Sequence, residues 1–194
     1  ESGVALNIAG GTHHAYRDRG EGFCLLNDFA LAAAALLEEG RIERALIVDL
    51  DVHQGNGTAK IFEHDSRVFT FSMHGAGNYP MHKETSDLDV GLPDGIDDRH
   101  YLQLLDAHWP RLLDEVEPDM VFYQCGVDIL ETDKLGRLGV SSAGCAERDR
   151  RILERCHTDG VPVVCSMGGG YSPDIWHIVE AHCNTFRIAH DLWG

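Results

Sequence analysis

The chain has 194 residues, 43% of them hydrophobic, and a formal net charge of −16 from 16 basic and 32 acidic side chains. That length suits one domain with a substantial core, spanning 1–194, and no apolar run is long enough to cross a bilayer, because 30–37 ends at Glu38-Glu39. The acidic balance argues against a nucleic-acid partner, since no basic stripe can follow phosphates; it suits a basic substrate, with solubility the plainer reason.

Strand and helix patterns alternate along the chain. Residues 4–9 read as a strand, opening directly without an initiator Met, as expected of a piece of a longer domain. Asn27 or Asp28 can cap a helix through an Ala/Leu-rich stretch to Glu39, and Gly40 stops it. Residues 45–50 read as the second strand, 57–63 as a short helix and 68–73 as the third strand. Asp97 or Asp98 caps a longer helix to about Val116, with a kink or break predicted at Pro110. Residues 120–124 read as the fourth strand, 143–157 as a helix, 161–166 as the fifth strand and 174–189 as the last helix.

Strands separated by helices predict an α/β fold with a mostly parallel sheet and helices on both faces. The strands are near-continuously apolar, as parallel strands buried on both sides must be. Residues 74–96 and 125–142 carry no periodicity, and long ordered loops of that kind usually serve a site. Six cysteines, at 24, 125, 145, 156, 165 and 183, form no Cys-x-x-Cys pair. With no basic n-region leading into an apolar h-region, they read as reduced thiols of a cytoplasmic protein.

The polar residues that need explaining fall at strand ends. In Asp49-Leu50-Asp51-Val52-His53, Asp49, Asp51 and His53 would share one face of the second strand. Two carboxylates and an imidazole buried together call for a neutralising cation, and oxygen and nitrogen ligands suit a divalent first-row ion such as zinc. Asp128, just past the fourth strand, makes a third ligand with Asp51 and His53. Three protein ligands leave an open position, as a catalytic metal site does. A buried Asp–His ion pair is the plainer alternative for Asp51-Val52-His53 taken alone.

His13-His14 after a glycine pair suggests proton transfer, with Asp49 placed to fix one imidazole's tautomer. Tyr171 after Gly168-Gly169-Gly170 is a phenol suited to a developing oxyanion. Phe23 and Tyr79 are loop aromatics able to wall a narrow apolar channel. In an open parallel sheet these segments converge at the carboxyl edge of the strands.

These residues carry a resemblance. The stretches 10–14, 22–28, 49–58, 125–128 and 168–171 resemble, in order, those of the histone deacetylase family of zinc amidohydrolases. Residues 128–136 with His53-Gln54 look most like its class IV branch and bacterial relatives. The resemblance implies the three-layer α/β/α arginase/deacetylase fold and hydrolysis of an acyl-lysine amide in a protein or peptide. It implies one zinc on Asp51, His53 and Asp128, His13 and His14 as the tandem histidines, and His14 as general base and then acid. Asp49 matches the partner of His13, and Tyr171 the tyrosine that polarises the carbonyl. Phe23 and Tyr79 match the walls of the acyl-lysine channel, with Gly22, Gly169 and Gly170 also on the substrate side. Asp49, Asp51, His53, Ser72 and Met73 match a potassium site, and Phe62, Asp65 and Val68 a second one.

Two departures stand out. Asn56 replaces an Asp that some members pair with the second histidine, which predicts a retuned His14. The family's domain also begins upstream of Glu1, so the chain reads as the C-terminal larger part, with its first strand left as an edge. The rival readings are an arginase-like hydrolase with two manganese ions, a deacetylase of acetylpolyamines or other small amides, and a catalytically silent acyl-lysine-binding scaffold. The first would need an Asp at position 55, where Gly55 has no side chain.

Overall fold

A computed structural model describes residues 3–194. In chain order they form β1 (Val4–Asn7), α1 (Asp28–Glu38), β2 (Ala45–Asp49), α2 (Asn56–Phe62), β3 (Val68–Gly75) and β4 (Leu88–Leu92). Then follow α3 (Asp98–Val116), β5 (Met120–Gln124), α4 (Ser142–Asp159), β6 (Val163–Ser166) and α5 (Ile175–Trp193). The strands make one sheet in the order β1-β6-β5-β2-β3-β4, and every neighbouring pair is parallel.

Alternation along the central strands divides the core in two. Ala45, Ile47 and Phe122 pack with Phe29, Ala33 and Leu37 of α1 and Phe62 of α2. Leu46, Val48, Val121 and Tyr123 point the other way, onto Tyr101, Leu105 and Trp109 of α3, Ile152 of α4 and Ile188 of α5. Both faces of the sheet are therefore covered, giving the three layers of an α/β/α fold. Each fully buried large side chain contributes roughly 1.5–3 kcal/mol.

The helices start where their caps predict. Asn27 accepts from Ala30 N at the head of α1, and Asp97 accepts from His100 N at the head of α3. Pro110 does not break α3, which runs through it to Val116. Leu105, Trp109, Leu112 and Leu113 are buried on either side of it, and their packing outweighs the roughly 3 kcal/mol an interior proline costs. β1 stops at Asn7, short of the expected Ala9, because Asn7 Oδ1 accepts from Ala9 N and Gly10 turns the chain at φ 103°. β4 lies inside the segment expected to be irregular. Its five residues include Gly91, too short and too interrupted a run to read as a strand alone. The side of β3 supplies the pairing that makes it one, Phe71↔Leu88 through Gly75↔Leu92.

Candidate functional site

β2 and β5 are central, so their carboxyl ends open onto the middle of one sheet edge. β2 ends at Asp49, whose register partners are Ser72 on β3 and Gln124 on β5. Asp51 and His53 thus lie beyond the strand, and strand alternation is not what aligns them. Carboxylate-anchored turns do it instead. Asp49 Oδ1 accepts from Asp51 N at 3.2 Å, and Asp51 Oδ1 from His53 N at 3.0 Å.

Asp128 arrives on the loop after β5, and its Oδ1 accepts from Val52 N at 3.0 Å. His53 Nδ1 then lies 3.1 Å from both Asp51 Oδ1 and Asp128 Oδ2. One donor atom from each residue falls within 4.8 Å of the others. Gly126 and Gly169 make the space, since a side chain at either would run into the carboxylate of Asp51 or Asp128.

Both carboxylates are at most 2% exposed. Burial and the adjacent Asp51 charge push Asp128 up to about 7, with His53 offsetting part of the rise. Burial opposes ionisation of Asp51 as well, but His13 and His53 outweigh it and hold that group below the usual carboxylate range. Against burial, the bonds from Asp128 and Asp51 lift His53 to about 10. An acidic, desolvated two-oxygen, one-nitrogen set of this kind fits a divalent first-row cation. A second cation site of arginase type is not built, because a side chain at Gly55 would collide with Asp49.

The two histidines differ sharply. His13 Nδ1 bonds Asp49 Oδ2 at 2.6 Å. Burial works against its charge, but Asp49 and Asp51 prevail and raise it to about 9. His14 is driven down to about 3 by burial and by the neighbouring His13. Its Nδ1 lies 2.6 Å from Asn56 Oδ1. The Asn56 amide nitrogen donates to Tyr16 Oη at 2.9 Å and Glu21 Oε1 at 3.0 Å, which fixes the amide oxygen toward His14. His14 therefore carries its proton on Nδ1 and leaves Nε2 to act as a base.

His13, His14, Asp51, His53 and Asp128 line a cleft of about 550 Å³, as do Gly22, Phe23, Tyr79, Gly169 and Tyr171, while Asp49 and Asn56 stand behind the lining. Tyr79 meets the His14 ring edge-on at 5.0 Å and donates its O–H to Glu21 at 2.7 Å. Phe23 stands at the rim, 92% exposed. Gly170 is set back from the lining, against Val127 and Ile178. Asp133 Oδ2 accepts from Tyr171 N at 2.6 Å. Burial and the charges of Asp128 and Asp51 push the Tyr171 phenol up to about 12, so it remains an O–H donor. Ser72 and Met73 lie outside the lining, within the carboxyl half of β3, which runs on to Gly75.

Sequence reading passes over Glu21, Tyr16 and Asp133. The only clue to Glu21 is its place beside Gly22-Phe23. Nothing in the sequence pairs Asp133 with Tyr171, 38 positions away. All six cysteines are free. No helix among the described residues is long and apolar enough to cross a membrane.

Residues 1–186 match the model of the histone deacetylase domain. An uncharacterized protein of Picosynechococcus sp. is 50% identical over 193 residues, covering 100% of this chain and 64% of its own length. Histone deacetylase 2 of Arabidopsis thaliana is 35% identical over 88% of the chain and 45% of its own length. Histone deacetylase clr6 of Schizosaccharomyces pombe is 35% identical over 87% and 43%. The chain thus spans less than two thirds of each of these relatives.

Proposed function

This chain belongs to the histone deacetylase family, and on that premise we propose that 1–194 is the catalytic part of a zinc-dependent hydrolase of acylated lysine. The observation that carries the reading is the buried Asp51–His53–Asp128 cluster beside a neutral His14 and an unionised Tyr171 in one cleft. Zinc held by those three side chains would supply Lewis-acid polarisation of the amide carbonyl and acidify a water.

The remaining work falls to the chain's own groups. His14 Nε2 takes a proton from the water as its oxygen bonds to the carbonyl carbon. The Tyr171 O–H donates to the carbonyl oxygen as that atom gains charge. The C–N bond then breaks, and His14 returns its proton to the departing amine. Free lysine and a carboxylate result. His13, charged beside Asp49, keeps His14 neutral at the start of the cycle. Phe23 and Tyr79 wall the acyl-lysine stem, and the backbone at Gly22 and Gly169 lies along it, with Gly170 set back behind them. Asp49 and Ser72, side by side across β2 and β3, support a potassium site completed by Asp51, His53 and Met73.

A second reading, hydrolysis of small cationic acylated amines such as acetylpolyamines, is favoured by the net charge of −16. The test is metal analysis with turnover of acetyl-lysine, long-acyl-lysine and acetylpolyamine substrates by the full-length protein. Hydrolysis of a lysine substrate that vanishes in His14→Ala supports the proposal. Bound zinc without turnover of any of them refutes it and leaves a binding protein.

A further inference from the structure

Arg148 and Asp149 are adjacent on α4, and both side chains are 0% exposed. A buried ion pair carries a desolvation cost that only complete hydrogen bonding offsets. Here the bonding is extensive and its direction is informative. Arg148 Nε and Nη2 reach Asp149 Oδ1 at 2.9 and 2.7 Å. Nη1 donates to the carbonyls of Gly126 at 2.7 Å and Leu50 at 3.2 Å, and Nη2 donates to that of Cys125 at 3.3 Å. Asp149 is held in turn by the Tyr123 O–H at 2.5 Å and the Thr185 O–H at 2.6 Å, from β5 and α5.

The three carbonyls lie where the β2–β5 ladder runs out. Its last register pair is Asp49↔Gln124, with one further bond from Leu50 N to Gln124 O. Leu50 immediately precedes Asp51, and Gly126 stands two residues before Asp128. One planar guanidinium therefore joins the two backbones at the point from which both carboxylates of the metal cluster project. We propose that the Arg148–Asp149 pair is a positioning unit that sets the spacing between Asp51 and Asp128. It touches none of the three donors and acts only through the strand ends. Lysine could match the charge but not the fork, because an ammonium lacks the rigid planar spread of donors. The inference rests on the metal reading above.

Two variants test it. Arg148→Met with Asp149→Leu replaces the pair by apolar volume, an exchange that buried pairs often tolerate without loss of stability. Arg148→Lys keeps a charge beside Asp149 but cannot span the carbonyls. Zinc affinity is measured by competition with a chromogenic chelator, ligand geometry by the visible absorption of the Co²⁺ form, and folding by thermal melting. The expected result is a folded double variant whose zinc affinity falls roughly 10–100-fold and whose cobalt spectrum changes, with Arg148→Lys in between. A folded double variant with wild-type affinity and spectrum overturns the proposal. Should the double variant not fold, Arg148→Lys decides: weakened zinc binding supports the positioning role, and unchanged binding overturns it. A wild-type protein that takes up no metal overturns the metal reading first, and this inference with it.

Discussion

Replacing Asn56 by Asp puts a carboxylate against His14 Nδ1, where the amide oxygen now sits at 2.6 Å. Two unit charges about 4 Å apart attract by about 4 kcal/mol at an effective dielectric of 20. At about 1.36 kcal/mol per pKa unit, that is about 3 units of stabilisation for the imidazolium. The new carboxylate also faces Glu21, which is 3.0 Å from the Asn56 amide, and repulsion there takes back part of the gain. His14 should move from about 3 toward the range of roughly 5–6. The acid limb of kcat/KM reports the base of the free enzyme. It should rise by the same interval in Asn56→Asp, so that the variant loses activity on acidification while the wild type holds. The assay is hydrolysis of an acetyl-lysine peptide from pH 5 to 8, with metal content measured at each pH. An acid limb that stays put or moves down refutes the assignment of His14 as the base.

Tyr171→Phe should lower kcat about 10²–10³-fold, the usual cost of one oxyanion donor, with metal content unchanged; undiminished turnover would remove Tyr171 from the mechanism. Asp128→Asn should abolish stoichiometric zinc uptake. In the wild-type protein a chelator should lower the melting temperature, since metal at 100 times its Kd stabilises by about 2.7 kcal/mol. A melt indifferent to chelator would count against the cluster as a metal site. His182 is held below its ordinary value by burial and by Arg148. The unfolded chain therefore takes up that proton first, and stability falls as pH drops below about 6.5, the unperturbed histidine value. His182→Gln should flatten this acid-side loss in denaturant titrations, and an identical pH dependence would contradict it. Trp109→Ala, which opens a cavity beside Leu105 and Leu113, should cost about 3–5 kcal/mol, measured by urea unfolding.

Much of the site is legible along the chain because its parts recur at strand ends. Asp49, Asp51, His53 and Asp128 announce themselves as acidic or basic groups beside apolar strands. His13-His14 and Tyr171 do so through their glycines. The alternation that seemed to align Asp49, Asp51 and His53 holds only to Asp49. The turns that bring Asp51 and His53 round depend on backbone N–H groups finding carboxylates, a choice periodicity does not record. The same limit hid β4, which needs the edge of β3, and misjudged Pro110, whose cost is met by the residues packed around it.

The sequence by itself determined the alternation of strands and helices apart from β4, the caps to within one residue at 27–28 and 97–98, the two-sided burial of the sheet and the residue types of the candidate metal cluster. These follow from repeats and neighbours along one backbone. The tertiary structure decided which partners each polar group meets: Asn56 with Glu21 across 35 positions, Tyr79 with Glu21 across 58, Arg148 with Leu50 across 98. Those pairings set the tautomer of His14 and join the strand ends beneath the candidate metal cluster. They arise only when the layers stack, because a buried polar atom must take whichever partner the packing brings within reach.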